Sequence, residues 1–277
     1  MLSIRSDQPI DHPTLALLRD LDEVLIALAV PYFLAGALAR DVLLTHVFGL
    51  PVYRATADVD LAVAVKDWSE FETTKAALED KGFVRDATWI HRLFRNKYPI
   101  DLIPFGGVET PDKTIAWPPA SSSVNVAGYR EAFETAEEVE VEPGLMLRVV
   151  SLPALAALKI FAWGDRGHET SKDAQDLATL LRAYPDAGNE QRLYGEAIDA
   201  MEAVEYRIDL AGARLLGRDT RRTLTEDTHE QLISLLDDPA QRERLAIAMS
   251  RVWGHTEDAM LQAESLLEQY QEGLAGK

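Results

Sequence analysis

The run Thr56-Ala57-Asp58-Val59-Asp60-Leu61-Ala62-Val63-Ala64-Val65 places two carboxylates at the head of an apolar stretch. That stretch is β-rich and too short for a helix, so it predicts a strand. Side chains two apart on a strand share a face, which points Asp58 and Asp60 the same way at the strand end. Two like charges held that close repel, and both stay ionised only in full solvation or around a cation. An Asp-x-Asp pair alone is common at solvated strand ends, so its meaning depends on its surroundings.

What precedes the pair is informative. Leu15, Leu18, Leu21, Leu25 and Leu28 recur at helical spacing over residues 13–29. Val30-Pro31-Tyr32-Phe33-Leu34-Ala35-Gly36 then reads as a short strand, followed by a helix from Ala37 to Phe48 that Gly49-Leu50-Pro51 stops. A glycine between a strand and a helix suits a phosphate-cradling turn, because backbone can approach the phosphate and the helix start offers free N–H groups. Beyond the acids, a helix over Asp67–Lys81 turns Trp68, Phe71 and Leu78 inward and ends at Gly82.

A third acid, Asp101, lies within the apolar strand Tyr98-Pro99-Ile100-Asp101-Leu102-Ile103-Pro104-Phe105, where an unpaired charge is costly. If that strand neighbours the Asp58 strand, three carboxylates converge. Such an oxygen set suits Mg²⁺, and two such ions can align an attacking hydroxyl with a nucleotide phosphate. Residues 83–95 read as one further strand hairpinned to this one, and 107–125 as a long loop. A short helix follows at Tyr129–Thr135, then a hairpin around Pro143-Gly144.

After Ser151, an N-cap with Pro153 in the first turn, nearly everything reads as helix. The expected fold is α+β: residues 1–150 on a small mixed sheet with helices, then a helical domain over 151–277. The absence of cysteine excludes disulfides and thiolate sites, and a formal charge of −18 argues against broad nucleic-acid binding. No apolar run is long enough to span a bilayer and the opening residues lack a signal-peptide core, so the expected location is the cytoplasm, with no membrane partner.

Phe33-Leu34-Ala35-Gly36-Ala37-Leu38-Ala39-Arg40-Asp41-Val42-Leu43-Leu44 followed by Thr56-Ala57-Asp58-Val59-Asp60 resembles the nucleotidyltransferase superfamily that includes DNA polymerase β. The resemblance implies that Asp58, Asp60 and Asp101 bind Mg²⁺ and catalyse, with Asp101 helping to activate the acceptor. It also implies that Gly36, Ala37, Arg40 and Thr56 border the nucleotide. The sequence departs at Ala37, where Gly or Ser is usual and a Ser hydroxyl would contact the triphosphate. The Gly36–Leu44 stretch is also similar to a signature of tRNA CCA-adding enzymes, but their downstream Arg-Arg-Asp-Phe-Thr motif is absent.

Residues 158–177, Leu-Lys-Ile-Phe-Ala-Trp-Gly-Asp-Arg-Gly-His-Glu-Thr-Ser-Lys-Asp-Ala-Gln-Asp-Leu, are similar to the AbiEii-type nucleotidyltransferases, a family of toxins in abortive-infection and toxin–antitoxin systems. The positions that match are Lys159, Arg166, Lys172, Asp173 and Asp176. The resemblance implies phosphate contacts from Lys159 and from Arg166 or Lys172, and a catalytic Asp173 that orients Lys159 or assists deprotonation. A buried Lys159–Asp173 pair tying two helices together is the structural alternative.

The expected reaction is transfer of a nucleoside monophosphate from an NTP to an acceptor hydroxyl on a tRNA end, a protein or a small molecule. A cognate antitoxin is the implied partner. The alternative class is a non-catalytic relative acting through a partner complex. His91, His168 and His255 lack metal-ligand spacing, the tryptophans read as core, and Arg214, Arg218, Arg221 and Arg222 form a modest basic cluster.

Overall fold

The computed structural model describes residues 1–52, 56, 58–118, 123–254 and 256–276. Two compact units divide the chain: residues 1–150 form the first, apart from a short stretch beginning at Leu50 that groups with the second, and the second resumes at Ser151.

In the first unit β1 (Leu2–Ser3) and α1 (His12–Ala27) lead to β2 (Tyr32–Ala35) and α2 (Gly36–Asp41). Then come β3 (Val59–Val65), α3 (Trp68–Asp80), β4 (Val84–Arg85), β5 (Arg92–Arg95) and β6 (Tyr98–Gly106). The small strands β7 (Thr114–Ala116) and β8 (Ser123–Asn125), α4 (Tyr129–Glu134), β9 (Glu137–Glu142) and β10 (Leu145–Val149) complete it. One mixed sheet runs in the order β1-β9-β10-β2-β3-β6-β5-β4, while β7 and β8 pair by themselves. The β2–β3 pair is antiparallel and the β3–β6 pair parallel.

Local chemistry sets these boundaries. Asp11 caps α1 by accepting the Thr14 N–H, and Leu15, Leu17, Leu18, Leu21 and Leu25 bury its apolar stripe. Asp67 caps α3 through the Glu70 N–H at 2.9 Å, while Glu70 reaches back to the Lys66 N–H at 2.6 Å. This exchange satisfies two donors that the helix start would otherwise leave open. Phe33, Ala62 and Val63 are completely buried, as central strands covered on both faces require.

Three expectations change. The helix expected over Ala37–Phe48 is α-helical for Gly36–Asp41 and continues as a π-helical segment over Val42–Val47. The single strand expected over residues 83–95 is divided into β4 and β5, which pair antiparallel. The reason is Asp86, whose carboxylate accepts the N–H groups of Thr88 at 2.6 Å and Trp89 at 2.8 Å, a turn that competes with extended backbone. The stretch 107–125 holds the β7–β8 pair, too short and polar to show as alternation; residues 119–122 lie outside the described residues.

The second unit is helical: α5 (Leu152–Arg166), α6 (Lys172–Ala183), α7 (Glu190–Leu193), α8 (Ile198–Ala203), α9 (Ile208–Thr223), α10 (Glu226–Asp237), α11 (Pro239–Ser250) and α12 (Glu257–Leu274). Ser151 caps α5 as expected, accepting the Ala154 N–H. α9 and α12 pack with backbones nearly touching: a Cβ on Gly217 would lie 2.1 Å from the Tyr270 carbonyl oxygen. Tyr270, fully buried, donates its hydroxyl to Thr220 at 3.2 Å. Among the described residues no helix is long and apolar enough to cross a membrane.

Candidate active site

Strand pairing sets four residues in a row across the sheet. Ala35 of β2 is in register with Asp60 of β3, Asp60 with Asp101 of β6, and Asp101 with Arg92 of β5. Registered residues on neighbouring strands share a face about 5 Å apart, so Asp60, Asp101 and Arg92 project together. Asp58 precedes β3 by one residue and is half-buried, and its backbone N–H donates to the Thr56 hydroxyl at 3.3 Å. Thr56 therefore shapes the turn that presents the acids.

Gly36 closes the site from β2. Its φ is +66°, a left-handed conformation that disfavours side chains, and a Cβ there would lie 1.7 Å from Asp60 Oδ2. Even the Asp60 Cβ would be 2.7 Å away, so no rotation of the carboxylate makes room. The glycine thus serves Asp60 directly. Gly36→Ala is expected to cost about 2 kcal/mol or more of stability, from left-handed strain plus the clash. A thermal melt of the variant checks this, and an unchanged melting temperature would contradict it.

Asp101 has a charged partner within the sheet. Arg92 grips it with two hydrogen bonds, Nε to Oδ1 and Nη2 to Oδ2, each 2.7 Å, and the Asp101 side chain is 15 % exposed. Hydrogen bonding to Asp101, together with the charges of Asp101 and Asp58, holds the guanidinium pKa above its usual value against the opposing effect of burial. His91 Nε2 lies 3.9 Å from Asp101 Oδ1, and burial pushes that imidazole down. The His91 ring packs at 5.3 Å on Trp117, which is core as expected, whereas Trp89, also expected in the core, is 54 % exposed.

The sequence reading therefore missed Arg92 and set His91 aside. Both precede β6 by a few residues, but only strand pairing shows that they face Asp101. Among the described residues no three Asp, Glu or His side chains are grouped as ligands for a metal ion. Asp58 and Asp60 stand at the head of β3, above a glycine that leaves space for Asp60, while Asp101 is held by Arg92.

Arg40, expected beside the nucleotide, is 1 % exposed and donates Nε to Asp41 at 2.8 Å. It holds α2 from within and does not present its guanidinium to solvent. Ala37 is buried next to it.

In the second unit Lys159 of α5 lies 3.1 Å from Asp173 and 2.7 Å from Asp176, both on α6. Arg166 adds a bidentate contact to Asp173, Nε at 2.8 Å and Nη2 at 3.1 Å, with its own side chain 55 % exposed. Lys172 begins α6 and is exposed. Burial by itself would raise the Asp173 pKa, but Lys159 and Arg166 together hold it below the usual carboxylate value.

A depressed folded-state pKa contributes stability above the unfolded value, about 3.9, and that stability is lost as pH falls through the folded value. The melting-temperature gap between wild type and Asp173→Asn is thus expected to shrink on acidification below about pH 4. A pH-independent gap would remove Asp173 ionisation as its cause. The basic cluster of α9 is tied down: Arg218 meets Asp199, Arg221 meets Glu226, Arg222 meets Asp219, and Arg214 meets Gln269 and Glu272. His168 is exposed beside Glu169, and His255 lies outside the described residues.

A family model matching residues 19–273 places the chain among the nucleotidyltransferases. It belongs to the nucleotidyl transferase AbiEii toxin family, of Type IV toxin–antitoxin systems. Of solved structures, the antibiotic-resistance factor ANT(2'')-Ia is 13 % identical, with 71 % of this chain and 99 % of that chain covered and a TM-score of 0.38. A CCA-adding enzyme in complex with ATP is 14 % identical, with 92 % of this chain and 66 % of that chain covered and a TM-score of 0.26. The Thermotoga maritima CCA-adding enzyme complexed with tRNA is 11 % identical, with 97 % and 82 % covered and a TM-score of 0.27. No curated protein matches the chain.

Proposed function

We propose that this nucleotidyltransferase moves a nucleoside monophosphate from an NTP to an acceptor hydroxyl in a Mg²⁺-dependent reaction, as the toxin of a toxin–antitoxin pair. The observation that carries the reading is the register of Asp60 with Asp101 beside the Gly36 turn. Asp58 and Asp60 would hold magnesium and Asp101 would complete the site, the ion when bound supplying positive charge to the nucleotide phosphates. Gly36, with Ala37 and Thr56 beside it, would border the phosphates, the missing side chain admitting close backbone approach. Asp101 would take the proton of the acceptor hydroxyl as its oxygen bonds to the α-phosphorus, and the bond from that phosphorus to the bridging oxygen would break to release pyrophosphate.

Lys159, Arg166, Lys172 and Asp173 enter the proposal more narrowly. Of these, Arg166 and Lys172 are exposed enough to offer charge to a phosphate, whereas Lys159 and Asp173 are committed to one another. The acceptor class, whether RNA, protein or small molecule, is to be read from the label. Wild-type protein incubated with Mg²⁺, whole-cell RNA and protein, and NTPs labelled at the α-phosphate should label one fraction. An equal reaction labelled from the γ-phosphate would indicate phosphoryl transfer and overturn the reading, as would no labelling with any NTP.

A further inference from the structure

Arg92 is the one charged member of the cross-sheet row that the proposed reaction does not use. Its partner in register is Asp101, and the two exchange a planar, two-point contact at 2.7 Å on each arm. Such a fork is among the strongest ion pairs available to a carboxylate, and it engages both oxygens and draws on the negative charge that a metal ion would also use. The pair is well shielded, with side chains 28 % and 15 % exposed. Asp58 also acts on the guanidinium electrostatically, so Arg92 draws on the charge of more than one acid of the site.

We propose that Arg92 is a resident counter-cation that competes with the divalent metal for Asp101. This inference rests on the proposed metal-dependent reading and adds a control to it. Without ligand, the fork stabilises an acidic cluster that would otherwise repel itself. When metal and nucleotide arrive together, Asp101 is released and the freed guanidinium gains phosphate oxygens that suit the same planar geometry. Metal affinity is thereby kept low until nucleotide is present, a coupling that must run equally in both directions.

Mn²⁺ binding, followed by electron paramagnetic resonance with no nucleotide present, tests the idea without any turnover. Arg92→Gln is expected to bind Mn²⁺ more tightly than wild type, on the order of tenfold, since one charged hydrogen-bond pair is no longer displaced. Added non-hydrolysable NTP should then tighten Mn²⁺ binding less in the variant than in wild type. A folded Arg92→Gln protein with unchanged or weaker Mn²⁺ affinity overturns the proposal while leaving the metal-dependent reading standing. No Mn²⁺ binding by either protein, with or without the NTP analogue, sinks both.

If Arg92→Gln does not fold, the wild type carries the test through the Arg92 Nε–H resonance in nuclear magnetic resonance. Saturating Mg²⁺ and NTP analogue should shift that signal and speed its exchange. A signal that stays put under saturation overturns the competition.

Discussion

Asp60→Asn is expected to reduce label transfer from NTP by about a thousandfold or more, with the fold intact. The substitution keeps the shape that sits over Gly36 and removes only the charge. An amide can lend an oxygen to a metal ion, but it cannot supply the negative charge that a hard divalent cation requires. A thermal melt close to that of wild type is the expected sign that the fold is kept. Transfer assays and thermal melts on the same preparation separate the two effects. Activity within tenfold of wild type would remove Asp60 from the chemistry, and loss of activity together with unfolding would return it to a structural role.

The largest stability effect is expected at Lys159. Its side chain is 9 % exposed and its ammonium lies between Asp173 and Asp176, whose side chains are 2 % and 1 % exposed. Methionine replaces the stem at similar length but takes away the charge that both acids face. Deleting one partner of a buried pair leaves the other charge uncompensated, at a cost of about 3–5 kcal/mol. Arg166 continues to serve Asp173, and Asp176 loses its 2.7 Å contact with the ammonium. The double variant Lys159→Met, Asp176→Leu should therefore recover much of the loss. Denaturant titration of the helical signal measures both, and a single-variant cost below about 1 kcal/mol would deny the pair its structural weight.

The candidate site was half legible before any coordinates. Asp-x-Asp at the head of a short apolar run points to a strand with acids at its start, because strand alternation is a local property, and β3 begins at Val59, between the two acids. Gly36 between a strand and a helix is legible for the same reason, and Asp101 stands out because a charge inside an apolar strand requires a partner. The identity of that partner was not legible. Arg92 and Asp101 are nine residues apart, and the sequence shows neither the Asp86 turn that splits β4 from β5 nor the register that follows it. Arg40 shows the same limit: its motif position suggests a ligand, whereas its burial at 1 % depends on how α2 packs.

By itself, then, the sequence determined the local pieces: a mixed first part and a helical second, the glycine turn, the acids and their faces, and the family to which they point. Tertiary structure alone decided who faces whom. It aligned Ala35, Asp60, Asp101 and Arg92 across four strands, and it gave Lys159 two carboxylates in place of one. The physical reason is range. Capping, alternation and glycine conformations act over a few residues and leave their mark in order, whereas strand register and buried charge pairing are settled between segments far apart in the chain.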